Sequence, residues 1–250
     1  MCGRFTLFAS PETIQAEFDL AEPPANLAPR YNIAPTQPVA VIANHAAARR
    51  VELFQWGLIP SWARDPSIGS RMINARAETL AEKPSFRTAL RKRRCLILAD
   101  GFYEWRAQRD GSKIPMYITL DDRQPFGFAG LYERWTEPES GEAVLSCTII
   151  TTTPNALMEP IHNRMPVILP PEHYSAWLDP SETDGARVLP LLQPYPAERM
   201  SAYPVSRRVN VPTVDSPDLI ERAGCRPSGR SRGATPGTRS SARRGTAGAG

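Results

Sequence analysis

Proline is the residue that most limits this chain. It fills 26 of 250 positions, about 10%, roughly twice ordinary usage. Its ring removes a backbone donor and clashes with the preceding turn, so helix interiors rarely tolerate it. A helical bundle or coiled coil is thereby excluded. Strands and short helices remain, and with 41% apolar residues there is enough to bury a core. Six short runs rich in apolar, β-branched or aromatic residues read as strands: VAVIA (39–43), VELFQW (51–56), CLILA (95–99), MYITL (116–120), FGFAG (126–130) and VLSCTIIT (144–151). Turn signals separate them, among them Asp110-Gly111 and the stretch 138–141. Helices are predicted in two places. One starts at Pro11 with Ser10 as its cap, and the other covers 171–178.

The formal charge of +4 is unevenly spread. Residues 222–250 hold seven arginines and no acid, whereas residues 1–221 hold 23 basic groups against 26 acids, a net of −3. Residues 1–221 must therefore meet any polyanion through a local patch. No linker divides them, and they read as one domain. The tail 222–250 is built of Arg, Gly, Ser, Ala, Thr and Pro, with almost nothing to bury, and is predicted to be disordered. It reads either as a nonspecific nucleic-acid arm or, more simply, as an inert extension.

Four cysteines (2, 95, 147, 225) show no CxxC spacing, and only three histidines accompany them. Neither a metal site nor a cofactor is expected at such spacings. No apolar run approaches the roughly 20 residues a membrane helix needs. The first residues lack the pattern of a signal peptide, so a cytoplasmic location and free thiols are expected.

Several residues could carry chemistry. Cys2 is small enough for aminopeptidases to remove Met1 ahead of it. An N-terminal cysteine then presents an amine with a pKa of about 7.7–8.0 beside a thiol near 8.5. Such a 1,2-aminothiol condenses with an aldehyde, first as a Schiff base through the amine, then as a five-membered thiazolidine through the thiol. An internal cysteine or lysine cannot do this. Glu104, between Tyr103 and Trp105, has the setting of a carboxyl with a raised pKa. Strand alternation puts Phe102 and Glu104 on one face and Tyr103 and Trp105 on the other. His162 could exchange a proton near neutral pH. Asn74 offers a donor and an acceptor, and Arg76 a bidentate phosphate grip. WGLIPSW (56–62) holds two tryptophans, read as core or as platforms for exposed bases. RKRR (91–94) reads as a phosphate contact or a solvated edge. Taken singly, each has an ordinary structural explanation.

Together, and in order, MCGRF (1–5), RYNIAP (30–35), WGLIPSW (56–62), INARAET (73–79), ADGFYEW (99–105), IHNRMPVIL (161–169) and PVSRRVN (204–210) resemble the SOS-response-associated peptidase (SRAP) family of abasic-site processing proteins. The likeness spans residues 1–221. It implies a compact, β-rich α+β domain with barrel-like antiparallel sheets and short flanking helices. It also implies covalent capture of abasic sites in single-stranded DNA by Cys2, which shields the lesion, by a monomer acting at damaged DNA without metal or cofactor. By position, Cys2 supplies both nucleophiles, Glu104 shuttles protons during sugar opening and Schiff base formation, His162 assists proton transfer, and Asn74 orients the amine. Arg4 and Arg76 match phosphate-contacting arginines, and Trp62 matches an aromatic beside the DNA. The ending departs from the family pattern, with VPTVDSPDLIERAG (211–224) where an Asn-Asp pair and a Leu-Ile-Glu-Pro ending are usual.

Two other classes of function compete. A cysteine peptidase would use Cys2 with Glu104 and His162, although only Met1 is written ahead of Cys2 as a propeptide, and an oxyanion hole is not readable from sequence. A binding module without chemistry would depend on the arginine tail.

Overall fold

The computed structural model describes residues 2–45 and 48–224. Most of the arginine tail, Cys225 included, lies outside the described residues. The strands are β1 (Phe5–Leu7), β2 (Arg30–Ile33), β3 (Pro38–Ala43), β4 (Val51–Trp56), β5 (Asn74–Arg76), β6 (Arg94–Ala99), β7 (Gly101–Ala107), β8 (Lys113–Leu120), β9 (Phe126–Thr136), β10 (Ala143–Thr152), β11 (Met165–Pro166), β12 (Ile168–Leu169) and β13 (Met200–Pro204). The α-helices are α1 (Pro11–Phe18), α2 (Pro84–Lys92), α3 (Tyr174–Leu178) and α4 (Gly185–Val188). None exceeds nine residues, as the proline content requires. The fold is the β-rich α+β class expected.

Five strands close into a barrel. Strand β10 pairs with β4, β4 with β3, β3 with β6, β6 with β9, and β9 returns to β10. Closure removes the exposed edges that an open sheet must protect. All pairs are antiparallel except along one edge of β10, where β4 and then β5 run parallel to it. Strand β6 is buried along its whole length. Its inner face belongs to the barrel, and α3 covers the strand from outside, with Trp177 Nε1 donating to Cys95 O at 2.9 Å. Burial on both faces is why CLILA reads as an unbroken apolar run instead of an alternating one.

A second sheet, ordered β13-β8-β7-β1-β2, is antiparallel throughout. It meets the barrel through Phe5, whose ring lies edge-on to Trp56 at 5.0 Å and to Phe128 at 5.8 Å. Such aromatic edge contacts add about 0.5–1.5 kcal/mol each beyond the area they bury. The N-terminal strand is thus locked into the middle of a sheet. Asp100 tightens it further: its carboxylate accepts from the backbone N–H of Phe8 and Ala9 and from the Thr6 hydroxyl.

Helix α2 was not foreseen. Pro84 starts it, and Phe86, Ala89 and Leu90 form its buried stripe, at the spacing of one helix face. The basic run RKRR divides: Arg91 and Lys92 end α2 and are exposed, whereas Arg93 and Arg94 are drawn into the fold. Arg93 pairs with Glu133 at 2.8 Å. Arg94 is fully buried and donates to the carbonyls of Leu90, Arg91, Trp177, Asp179 and Glu182. It satisfies carbonyls that helix ends leave without partners.

Past β13 the chain turns back over the second sheet. Leu219 is fully buried beside Tyr103, Tyr117 and Tyr203. Asp215 pairs with Arg30 Nε at 2.7 Å, and Val205 bridges to Arg222. The divergent ending therefore closes the domain with its own contacts.

Candidate active site

Strand register delivers Cys2 to its neighbours. Phe5 pairs with Phe102, and Tyr103 N–H donates to Arg4 O at 2.9 Å. The chain before Phe5 thus runs alongside the part of β7 that carries Glu104. Alternation on β7 holds as read from the sequence: Phe102 joins the main core, and Tyr103 joins the tyrosine cluster of the opposite face. Cys2 is fully buried and Glu104 is 3% exposed. Burial pushes the Cys2 thiol well above its ordinary pKa, and the nearby Glu104 carboxylate pushes it further. A negative charge beside a dry thiol disfavours the thiolate.

Asn74 closes the group from the barrel side. It sits on β5, the short strand that takes over the edge of β10 where β4 leaves off, with Ile149 paired to Asn74. Its Nδ2 donates to Cys2 O at 2.8 Å. Its Oδ1 is buried and accepts no hydrogen bond among the described residues. Cys2, Glu104 and Asn74, about a hundred residues apart at the extremes, thus converge on one point.

His162 belongs to the loop between β10 and β11. Asn155 organises that loop, accepting from Met158 N–H at 2.9 Å and donating to Tyr195 O at 2.6 Å. His162 N–H then donates to Met158 O at 2.8 Å. The ring nitrogen Nδ1 accepts from Arg164 N–H at 3.0 Å. The same nitrogen stands 3.2 Å from Arg164 O; accepting from the amide puts the proton of the neutral imidazole on Nε2, and donating to the carbonyl puts it on Nδ1.

The arginines are differently disposed. Arg4 is half-buried, and its Nη1 donates to Asn32 Oδ1 at 2.7 Å and to Val209 O at 2.8 Å. Asn32, fully buried, donates to the carbonyls of Val209, Val211 and Val214. The C-terminal segment is thus in direct contact with the first residues of the chain. Arg76 is exposed, two residues along β5 from Asn74 and on the same face. Trp56 is fully buried, whereas Trp62 is 62% exposed, so the two tryptophans of WGLIPSW divide between core and surface. Among the described residues no hydrogen bond or ring contact joins Trp62 to Cys2 or Asn74.

Sequence reasoning passed over four residues that organise this region. Asn32 holds Arg4. Asn210 accepts from Trp105 Nε1 at 2.8 Å. Arg164 and Glu78 form a two-pronged pair, at 2.6 and 2.9 Å, between the His162 loop and the turn after β5. All four lie inside the strings RYNIAP, PVSRRVN, IHNRMPVIL and INARAET, and membership of those strings was the available signal. Among the described residues no three His, Cys, Asp or Glu side chains gather as a metal cluster.

The geometry can be set beside known proteins. The model of the family described as SOS response associated peptidase (SRAP) matches residues 1–212. A protein of Bacillus subtilis named abasic site processing protein YoqW is 52% identical over 223 residues, covering 88% of this chain and 99% of its own. The abasic site processing protein HMCES of Xenopus tropicalis is 30% identical over 267 residues, covering 88% of this chain and 78% of its own. A crystal structure of a protein from Bacteroides thetaiotaomicron superposes with a TM-score of 0.79 at 32% identity, covering 89% of this chain and all of the other.

Proposed function

Because this chain belongs to the SOS response associated peptidase (SRAP) family, we propose that it processes abasic sites in DNA, and that it does so by capturing them covalently through Cys2. One observation carries this reading. The Cys2 carbonyl is held by Asn74, while its thiol lies dry beside Glu104. Once Met1 is removed, the free α-amine sits on Cα, the carbon next to the carbonyl that this contact holds in place.

The chemistry follows from the groups present. An abasic deoxyribose is mostly a closed hemiacetal. Opening it moves the C1′ hydroxyl proton to a base and a proton to the ring oxygen, and Glu104 is placed to serve both transfers. The Cys2 amine adds to the aldehyde carbon, and loss of one water gives an imine. The thiol sulfur then adds to the imine carbon, and its proton ends on the nitrogen. Aminothiol and aldehyde thus become thiazolidine and water. The raised thiol pKa suits this order, because a neutral thiol leaves the first attack to the amine. His162 is the second proton carrier, for the imine and for reversal. General acid–base groups of this kind contribute about 10²–10⁴-fold each.

Arg4 and Arg76 are assigned to phosphates beside the lesion, and exposed Trp62 to a base face. Local arginines suit a domain whose residues 1–221 carry a net charge of −3. Single-stranded DNA is the proposed substrate form, since its unpaired bases can stack on a tryptophan, and a monomer suffices because all the assigned residues come from one chain. A peptidase reading draws less support: a thiol held protonated by burial and a carboxylate is the reverse of the low-pKa cysteine that hydrolysis of peptides needs.

Intact mass spectrometry tests the proposal. Purified protein lacking Met1 is mixed with a single-stranded oligonucleotide carrying one abasic site. The expected product survives denaturation at the mass of protein plus DNA minus one water, and Cys2→Ala does not form it. Processed protein that gives no adduct would overturn covalent capture.

A further inference from the structure

The Glu78–Arg164 pair has a geometry that its exposure does not explain. Glu78 is 48% exposed in its side chain, Arg164 only 14%. A single ion pair open to water contributes little to stability. This one is nevertheless bidentate, at 2.6 and 2.9 Å, and Arg164 Nη2 donates in addition to Thr151 O at 2.6 Å. Thr151 is the β10 residue that pairs with Arg76 on β5. The guanidinium therefore spans β10 and the turn that follows β5. Planar, forked contacts of this kind fix orientation as well as distance.

What the side chain fixes, the backbone of the same residue uses. Arg164 N–H is the donor to His162 Nδ1, and His162 and Arg164 lie two residues apart on one loop. Without Glu78 the guanidinium keeps only its contacts with Thr151 on β10, and loses its hold on the turn after β5. Arg164 also holds the Glu78 carboxyl below its ordinary pKa, so the pair is ionised across the neutral range.

We propose that Glu78 is a positioning residue for His162, its carboxylate gripping Arg164 so that the Arg164 backbone N–H holds the imidazole with its proton on Nε2. The proposal rests on the reading of His162 as a proton carrier, and extends it by naming what sets the tautomer. Glu78 touches no substrate in this scheme. It acts through Arg164.

Two measurements separate this from general loosening. The first is the ¹⁵N spectrum of the His162 ring in the DNA-free protein, taken with the ring neutral. The wild type is expected to show one tautomer, protonated at Nε2. Glu78→Ala is expected to show exchange between both tautomers, and Glu78→Gln, which keeps one acceptor for Arg164, an intermediate pattern. The second is the single-turnover rate of adduct formation at saturating DNA. It is expected to fall about tenfold in Glu78→Ala, a fraction of what a proton-transfer group supplies, with a smaller fall in Glu78→Gln. If Glu78→Ala does not fold, Glu78→Gln alone carries both readings. An unchanged single tautomer in a folded variant overturns the proposal, whatever the rate does. A wild type that gives no adduct overturns the capture chemistry instead, and the ring spectrum still decides the role of Glu78.

Discussion

Burial of a nucleophile is usually a reason to doubt it, and at Cys2 the proposed capture makes use of it. A cysteine protease lowers its thiol pKa with a histidine or a helix N-terminus. Here burial and then Glu104 raise it, so the amine is the group left to react first. Cys95 and Cys147 are also fully buried, and both thiols are raised by burial. The expected consequence is a slow, pH-steep reaction of the native protein with iodoacetamide. Peptide mapping should find Cys2, Cys95 and Cys147 largely unmodified near pH 8, and their labelling still rising with pH beyond the ordinary thiol value of about 8.5. The sign is fixed by the direction of the shift. A raised pKa keeps the thiol protonated over more of the range, and the reactive thiolate appears only at higher pH. Rapid labelling of Cys2 that levels off by about pH 9 would mean that its thiol is not held protonated. Linkage runs the same way: the stability these neutral thiols contribute is complete below their unfolded pKa and is lost as pH climbs through the raised values.

At the level of elements, the loop carrying Trp62 depends on one close approach. Gly57 follows β4 with φ at +129°, and a Cβ there would stand 2.5 Å from Gly69 O. The two glycines pinch the neck of an excursion that leaves the barrel after β4 and rejoins it at β5, with Leu58 N–H donating to Met72 O at 3.2 Å. A side chain at Gly57 meets backbone, which cannot swing aside. Gly57→Ala is expected to destabilise the protein by about 2–4 kcal/mol, within the range of strained-backbone and overpacking changes. The check is the urea midpoint, and a loss under about 0.5 kcal/mol, the scale of neutral surface changes, would refute the pinch. The same region shows what was legible. All six strands read from apolar runs are present, five in the barrel and one, β8, in the second sheet, because burial imposes a pattern strong enough to see in five or six residues. The short strands β1, β2, β5 and β13 were not read, since three to five residues carry no period and their pairing partners lie far along the chain. Helix α2 was hidden by its charge: three buried positions in nine, among lysine and arginines, looked like a basic run. The site divides in the same way. Cys2, Asn74, Glu104 and His162 were candidates by their own chemistry, and the resemblance of whole motifs gave them roles, while Asn32, Glu78 and Arg164, whose partners lie 13 to 182 residues away, needed the fold.

Over the whole molecule, the question is how a domain of net negative charge meets a polyanion. Residues 1–221 carry 23 basic groups against 26 acids, so long-range attraction cannot come from their sum. Binding must instead rest on a few contacts at the site, for which Arg4 and Arg76 are the proposed groups. The C-terminal segment belongs to that arrangement, because Val209 O holds Arg4 and Leu219 seals the sheet behind Tyr103. The arginines past Gly224 lie outside the described residues. These placements give separate expectations for two versions of the chain. A form ending at Gly224 should keep adduct formation within about twofold, and its affinity for single-stranded DNA should fall with salt at a slope of only about −1 to −2, as two or so phosphate contacts dictate at roughly −0.7 each. The full chain, with six more arginines after Gly224, should show a steeper slope if those residues meet DNA and the same slope if they are inert. Adduct formation lost on removing 225–250 would contradict the placement of the whole site within the described domain. A shallow slope in both forms would show that recognition rests on the lesion's aldehyde and a stacked base, with charge serving to hold the strand in register.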